Sequence, residues 1–117
     1  MSNWRRVDPT IDLNDPESRF RFASERADVE VRFRDWQNRA ICIRFADVSQ
    51  FAYSHLPPDP TCPEGEFCYL DSSPLIDRLR QAHVIGRSET EYHYVISSND
   101  EEWCEIVAAS HRVTIGD

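Results

Sequence analysis

From Phe20 to Phe45 the chain repeats one pattern, an apolar side chain followed by a polar or charged one. Phe20 and Phe22 alternate with arginines, Val29, Val31 and Phe33 with charged residues, and Ile41, Ile43 and Phe45 with Cys42 and Arg44. Successive side chains of a strand point to opposite faces, so this period predicts three strands, each with one buried and one solvated face. The connections are too short for a crossover, which makes the strands antiparallel neighbours. The break at Gln37-Asn38-Arg39 predicts a three-residue hairpin loop with Asn38 or Arg39 in the left-handed conformation. Phe33 then faces Ile43 and Val31 faces Phe45 on the inner side. On the outer side Arg32 is set opposite Arg44 and Arg34 opposite Cys42, an arrangement that opposes like charges. Two readings follow for Arg32, Arg34 and Arg44: an ion-pair cluster neutralised by Asp28, Glu30 and neighbouring acids, or a site for an anion or an acidic partner.

After Phe51 and Tyr53 the alternation stops. The stretch HLPPDPTCPEGE (residues 55–66) holds four prolines and predicts a long irregular loop, closed by a short strand at FCYL, Phe67 to Leu70. A different period follows in residues 71–86. Ser73 suits a helix N-cap and Pro74 the first helical position, while Leu75, Ile76, Leu79 and Ala82 or His83 fall on one helical face. This predicts one helix over about residues 74–83, stopped near Gly86.

The segment from Glu91 to Ser110 reads as a hairpin turning at Asn99-Asp100, or through a four-residue loop from Ser98 to Glu101. Either loop puts Tyr92, Tyr94, Ile96, Trp103, Glu105 and Val107 on one face and His93, Val95, Cys104, Ile106 and Ala108 on the other. An odd loop length would invert one strand against the other. Glu105 lies in the first set and no ionised group in the middle of the second, so the second is expected to be core.

These elements define an α+β, mainly β, single domain over residues 1–117, with residues 1–17 as an irregular lead-in. The sheet is expected to be a single antiparallel sheet or a small sandwich of roughly five to seven strands with one helix. Its expected core comprises Val29, Val31, Phe33, Ile41, Ile43, Phe45, Leu75, Leu79, Val95 and Ile106.

Composition narrows the function classes. Hydrophobic residues make up 40% and charged residues 29%, with three Gly, which is globular rather than disordered. No apolar run approaches the roughly 20 residues that span a bilayer. The opening MSNWRRVDPT has arginines but no apolar run behind them, which predicts a cytoplasmic protein with reduced thiols. A net charge of −8 argues against nucleic acid as a partner. The charge is uneven, with nine Arg against eight acids in residues 1–46 and four Arg against thirteen acids in residues 47–117. The acidic half would steer a basic protein toward it.

Candidate chemistry is sparse. Cys62 and Cys68 are separated by five residues, wider than the usual zinc spacing, and the histidines at 55, 83, 93 and 111 form no helical pair. No metal and no cofactor are expected, and CPEGEFC reads as a loop whose thiols react freely. His93 and Cys104 would be diagonal neighbours on one hairpin face, the best base and nucleophile available. The other reading makes them a buried histidine and an inert thiol. No catalytic residue is assigned. The expected partner site is the first hairpin face, with Tyr92, Tyr94 and Trp103 beside Glu105 and with Glu101 and Glu102 at its tip, since aromatic anchors and acidic rims suit an interface.

Three stretches together resemble small acidic bacterial proteins of toxin-immunity or uncharacterised type. They are the strand pair in DWQNRAICIRFADVSQF, the helix start SSPLIDRLR within residues 69–80, and the closing hairpin EYHYVISSNDEEWCEIVA. The resemblance implies a non-enzymatic role, namely binding and neutralising a partner that is often a basic nuclease or other toxin. Charge and resemblance together give the expectation of a cytoplasmic protein-binding module, an immunity-type inhibitor of a basic protein, in monomeric or homodimeric form. The alternatives are a small-ligand or enzymatic domain with a pocket near His93 and Cys104, and a structural subunit of a larger assembly.

Overall fold

The computed structural model describes residues 4–7, 11, 13, 16, 19–58, 62–84, 90–99 and 101–116. In chain order these form β1 (Arg5–Arg6), β2 (Arg21–Glu25), β3 (Asp28–Arg34), β4 (Ala40–Ala46), β5 (Gln50–Ser54), β6 (Phe67–Leu70), α1 (Pro74–Gln81), β7 (Tyr92–Ser97), β8 (Trp103–Ala108) and β9 (Ser110–Gly116). The strands build two antiparallel sheets, β2-β3-β4-β9 and β1-β6-β7-β8-β5. The protein is therefore mainly β, a small sandwich with one helix among the described residues. The nine strands among the described residues exceed the expected number because β9 and the two-residue β1 lie outside the runs that alternation marks.

The alternating segment forms three of the four strands of the first, outer sheet. Along β3 and β4 buried and exposed or half-buried positions alternate without a break from Val31 to Phe45, apart from the connecting turn. That turn is a three-residue loop, but it spans Trp36 to Asn38, one residue earlier than expected. Asp35 fixes it by accepting hydrogen bonds from the backbone N–H of Gln37 (3.1 Å) and Arg39 (2.8 Å) and from Arg39 Nε (2.8 Å). Asn38 takes the left-handed conformation at φ 61°. The pairing is consequently Phe33 with Ile41, Val31 with Ile43 and Glu30 with Arg44. A shift of two residues preserves every face while replacing the expected Arg32–Arg44 opposition by an acid–base pair.

Two chain segments stitch the sheets together. The strand pair β4–β9 in the outer sheet continues as the pair β5–β8 in the other sheet, bending at Asp47–Ser49 on one strand and at Ala109 on its neighbour. Asp47 adopts φ 53°, and backbone bonds from Ser49 N to Val107 O (2.8 Å) and from Ala109 N to Ala46 O (3.0 Å) hold the corner. One strand carries extra residues there, the usual way for a strand to switch sheets in a sandwich.

The second sheet is the middle layer. On one side Phe67, Tyr94, Ile96, Cys104, Ile106 and Ala108 meet Val31, Phe33, Ile41, Ile43 and Phe45 of the outer sheet. On the other side Leu75 and Ile76 of α1 pack on Val107, and Cys62 packs with Val95, Trp103 and Trp4. Of the expected core, Val29 and Leu79 are only half-buried and the other eight residues are buried. The lead-in contributes more than an irregular tail, since β1 pairs with Cys68 and Tyr69 and the side chains of Ile11 and Leu13 enter the core.

Helix α1 starts as expected. Ser73 Oγ accepts a hydrogen bond from Ile76 N (3.2 Å) and Pro74 fills the first position. It ends at Gln81, two residues short of the expected end, because His83 turns left-handed at φ 61°. Bonds from His83 N to Arg80 O and from Val84 N to Leu79 O close a Schellman motif. Gly86, the expected stop, lies outside the described residues. No helix among the described residues is long and apolar enough to cross a membrane.

Candidate functional site

The expected aromatic face of the last hairpin does not form, and loop length is the reason. Ser97 pairs with Trp103 and Ser98 N donates to Glu102 O at 3.1 Å. The loop thus has three residues, Asn99 to Glu101, with Glu101 at φ 62°; Asp100 lies outside the described residues. An odd loop inverts β8 against β7. Tyr92 and Tyr94 point to the sandwich core, where the Tyr94 ring lies 5.0 Å from that of Phe45. Trp103 is buried on the opposite face. Glu102 is also buried, accepting from Phe20 N at 3.2 Å, and only Glu101 is exposed. The six expected site residues share no surface.

The same inversion separates His93 from Cys104. Cys104 lies in the sandwich core, where burial pushes its thiol up, far from a thiolate nucleophile. His93 faces the helix layer and meets two groups that sequence reading did not connect with it. Its Nδ1 lies 2.9 Å from Ser73 Oγ and its Nε2 lies 2.7 Å from Glu105 Oε2. A neutral imidazole satisfies every member, with Nε2–H donating to the carboxylate and Nδ1 accepting from the Ser73 hydroxyl. Ser73 at the same time accepts from the helix N-terminus, and the Trp4 ring stands edge-on to His93 at 5.2 Å. Serine, histidine and carboxylate in a line suggest hydrolytic chemistry. Here His93 is fully enclosed and Ser73 is 4% exposed, so the hydroxyl is shielded from solvent. The chain of bonds instead ties the start of α1 to β7 and β8.

The CPEGEFC thiols are a second correction. Cys62 is 5% and Cys68 2% exposed, and burial pushes both up to about 12. They are shielded thiols, not the freely reacting ones expected of a loop. All four cysteines are free.

On the outer sheet's solvent face the three arginines divide. Arg44 pairs with Asp28 (3.0 Å) and Glu30 (2.9 Å), and Arg32 pairs with the same Glu30. Hydrogen bonds from these guanidinium groups hold the Asp28 and Glu30 carboxyls below the usual carboxylate range. Arg34 Nη1 donates to Asn38 O at 2.9 Å at the other end of the strand. Opposed arginines do occur, but at the flanking strands, where Arg21 faces Arg32 and Arg44 faces Arg112.

An interface-like surface lies where neither expectation placed it. Strands β2 and β5 are edges of their respective sheets and adjoin along one side of the sandwich. There the Phe22 ring lies 5.0 Å from Phe51 and 5.3 Å from Tyr53, and Tyr53 lies 5.5 Å from His55. Phe22 is 39%, Tyr53 38% and Leu56 73% exposed. His55 Nδ1 donates to the Glu101 carbonyl at 3.1 Å, which joins this seam to the acidic hairpin loop. Partial burial, and after it the Glu102 carboxylate, push the Tyr53 hydroxyl up. The alternation at Phe20 and Phe22 correctly marked an inner face, but nothing in it reveals that β2 is an edge strand whose inner face is incompletely covered.

Compared with known proteins, the chain matches no family model, no curated protein and no solved structure.

Proposed function

We propose that the protein is a non-enzymatic, cytoplasmic protein-binding module, an immunity-type inhibitor whose partner is a basic protein. The observation that carries this reading is the exposed seam of Phe22, Phe51, Tyr53 and Leu56 between two sheet edges. Aromatic side chains are rigid anchors at interface centres, and an edge strand offers unpaired backbone groups to a partner's extended segment. The net charge of −8 supplies the steering field for a basic partner. The acids concentrate in the middle sheet and helix layer. Among the described residues, that layer together with β1 carries eight acids against four Arg, while the segments of the outer sheet (19–49 and 110–116) carry five acids against eight Arg.

The test is affinity capture from the source cells at low and high salt, with the wild type beside Tyr53→Ala and Leu56→Asp. The expected result is one basic protein retained at low salt and released at high salt. Tyr53→Ala should weaken its binding by about 2 kcal/mol, roughly thirtyfold, while both variants keep the wild-type melting temperature. Equal retention by wild type and both variants would remove the seam from the reading. Self-association of the purified wild type, lost in Leu56→Asp, would replace the basic partner by a second copy of the chain.

A further inference from the structure

The solvent face of the outer sheet carries two neighbouring hollows that share Arg32 and differ in the balance of charge around them. The smaller, around β2 and β3 near their connecting turn, is lined by Glu25, Asp28 and Glu30 together with Arg32 and Arg44. Each of these two arginines has a carboxylate partner there. Beside it lies a depression of about 440 Å³ whose charged lining is Arg21, Arg32 and Arg34. Arg32 keeps its pair with Glu30, whose carboxylate lies 3.7 Å from Cys42 Sγ at the floor, and Arg34 keeps its bond to Asn38 O.

Register explains its shape. Arg32 on β3 stands beside Cys42 on β4, which stands beside Thr114 on β9; Arg34 stands beside Ala40, which stands beside Gly116. Four small residues therefore make a low floor, and the arginines of β2 and β3 rise along one side of it. Arg21 directly opposes Arg32. Like charges set opposite each other on neighbouring strands destabilise a sheet. Arg21 takes part in no ion pair among the described residues. Burial and the nearby Glu30 push the Cys42 thiol up, so the floor carries no negative charge of its own at neutral pH.

We propose that this depression is a binding site for a compact oxyanion of the phosphate type. Guanidinium groups present paired donors that match phosphate oxygens, and a hydrogen bond to a charged group is worth more than a neutral one. The volume suits a small ligand. The protein's overall negative charge disfavours an extended polyanion such as nucleic acid, whose neighbouring phosphates would meet the acidic remainder of the surface. The Thr114 hydroxyl adds a neutral donor at the floor, and Ala40 adds an apolar contact for an organic group esterified to the phosphate. The site lies on the sheet's open face and shares only Phe22 of β2 with the seam, whose Tyr53 and Leu56 lie outside it, so the two readings are tested by different variants.

The experiment is calorimetric titration of the full chain with inorganic phosphate and, in parallel, with phenyl phosphate, at low chloride. Saturable one-to-one binding of either is expected. Tighter binding of phenyl phosphate identifies an organic phosphate ester as the ligand class, and equal binding identifies free phosphate. Arg21→Gln should weaken the affinity by about tenfold, the loss of one charged hydrogen-bonding group. In phosphate-free buffer the same change should raise the melting temperature, because it relieves the opposition to Arg32. Thr114→Glu places a carboxylate among the arginines, and it should abolish phosphate binding while the fold persists. Arg78→Gln, on the exposed side of α1, should change nothing. Absence of saturable binding to both ligands overturns the proposal, as does binding that Arg21→Gln and Thr114→Glu leave unaltered.

Discussion

The two sheets of this sandwich are built from similar residues and live in different surroundings. The outer sheet has one dry face and one wet face, so β3 and β4 alternate buried and open positions along most of their length. The central strands of the middle sheet are dry on both sides, with the outer sheet on one and α1, Cys62 and Trp4 on the other. From His93 to Ser97 every residue of β7 is buried, and in β8 only Glu105 is not. A polar residue in the outer sheet can face water. One in the middle sheet needs an internal partner, and His93 has two, Ser73 and Glu105. Within the central strands, charged side chains are thus displayed to water on the outer sheet, whereas on the middle sheet His93 and Glu105 pair with each other.

The sharpest test of this contrast is the sensitivity of consecutive positions. Trp103→Ala should cost about 3–5 kcal/mol, and Ile106→Ala, on the opposite face of the same strand, about 2–5 kcal/mol, read from urea unfolding. In β4 only one face should respond in this way, with Ile43→Ala costing about 2–5 kcal/mol and Cys42→Ala within about 0.5 kcal/mol. A Trp103→Ala variant of near wild-type stability would mean that the helix side of the middle sheet is open.

Alkali should act through the same doubly covered layer. Cys62 and Cys68, pushed up to about 12, stay protonated in the native state while unfolded cysteines ionise near their ordinary value. A raised native pKa contributes stability that is complete below the unfolded value and is lost as pH climbs toward the native one. The urea midpoint should therefore fall above about pH 9. A Cys62→Ala/Cys68→Ala double variant should show a shallower fall over that range. At pH 8 a thiol reagent should modify Cys62, Cys68 and Cys104 only as fast as the protein opens. Immediate labelling of Cys62 or Cys68 would contradict their burial.

Ser73→Ala removes a helix cap and a partner of His93 together, an expected loss of about 1–2 kcal/mol in the same assay. Glu105→Gln keeps an acceptor for His93 Nε2–H and should cost less. If Ser73→Ala proves silent, the bond chain between helix and sheet contributes nothing.

The smallest effect belongs to the exposed ion pairs of the outer sheet. Asp28 and Glu30 are held below the usual carboxylate range, so their contribution is present above that range and disappears as pH falls through their native values. Arg44→Gln should lower the urea midpoint slightly at pH 7, less so in high salt, and the difference should fade as acid protonates Asp28 and Glu30. A difference that persists in acid would point to packing by the Arg44 stem in place of charge.

What the sequence alone determined follows from where alternation carries information. Val31, Phe33, Ile41, Ile43 and Phe45 were legible as one inner face because their neighbours are charged and must reach water. Even the misplaced turn at Asp35 left their faces intact, because it moved the pairing by two residues. Ser73 and Pro74 likewise marked the helix start by local chemistry that needs no tertiary context. In β7 and β8 both faces are dry, so hydropathy gives no parity. A single residue of loop length at Asn99–Glu101 then decided that Tyr94 and Trp103 point apart and that His93 meets Glu105 and not Cys104. Tertiary structure also decided which strands are edges. That is what leaves Phe22 and Tyr53 at the surface, and what sets Arg21, Arg32 and Arg34 around a floor completed by β9, a strand the alternation did not mark. Local pattern records which side of a strand is wet; only the packed fold determines what lies against the dry sides.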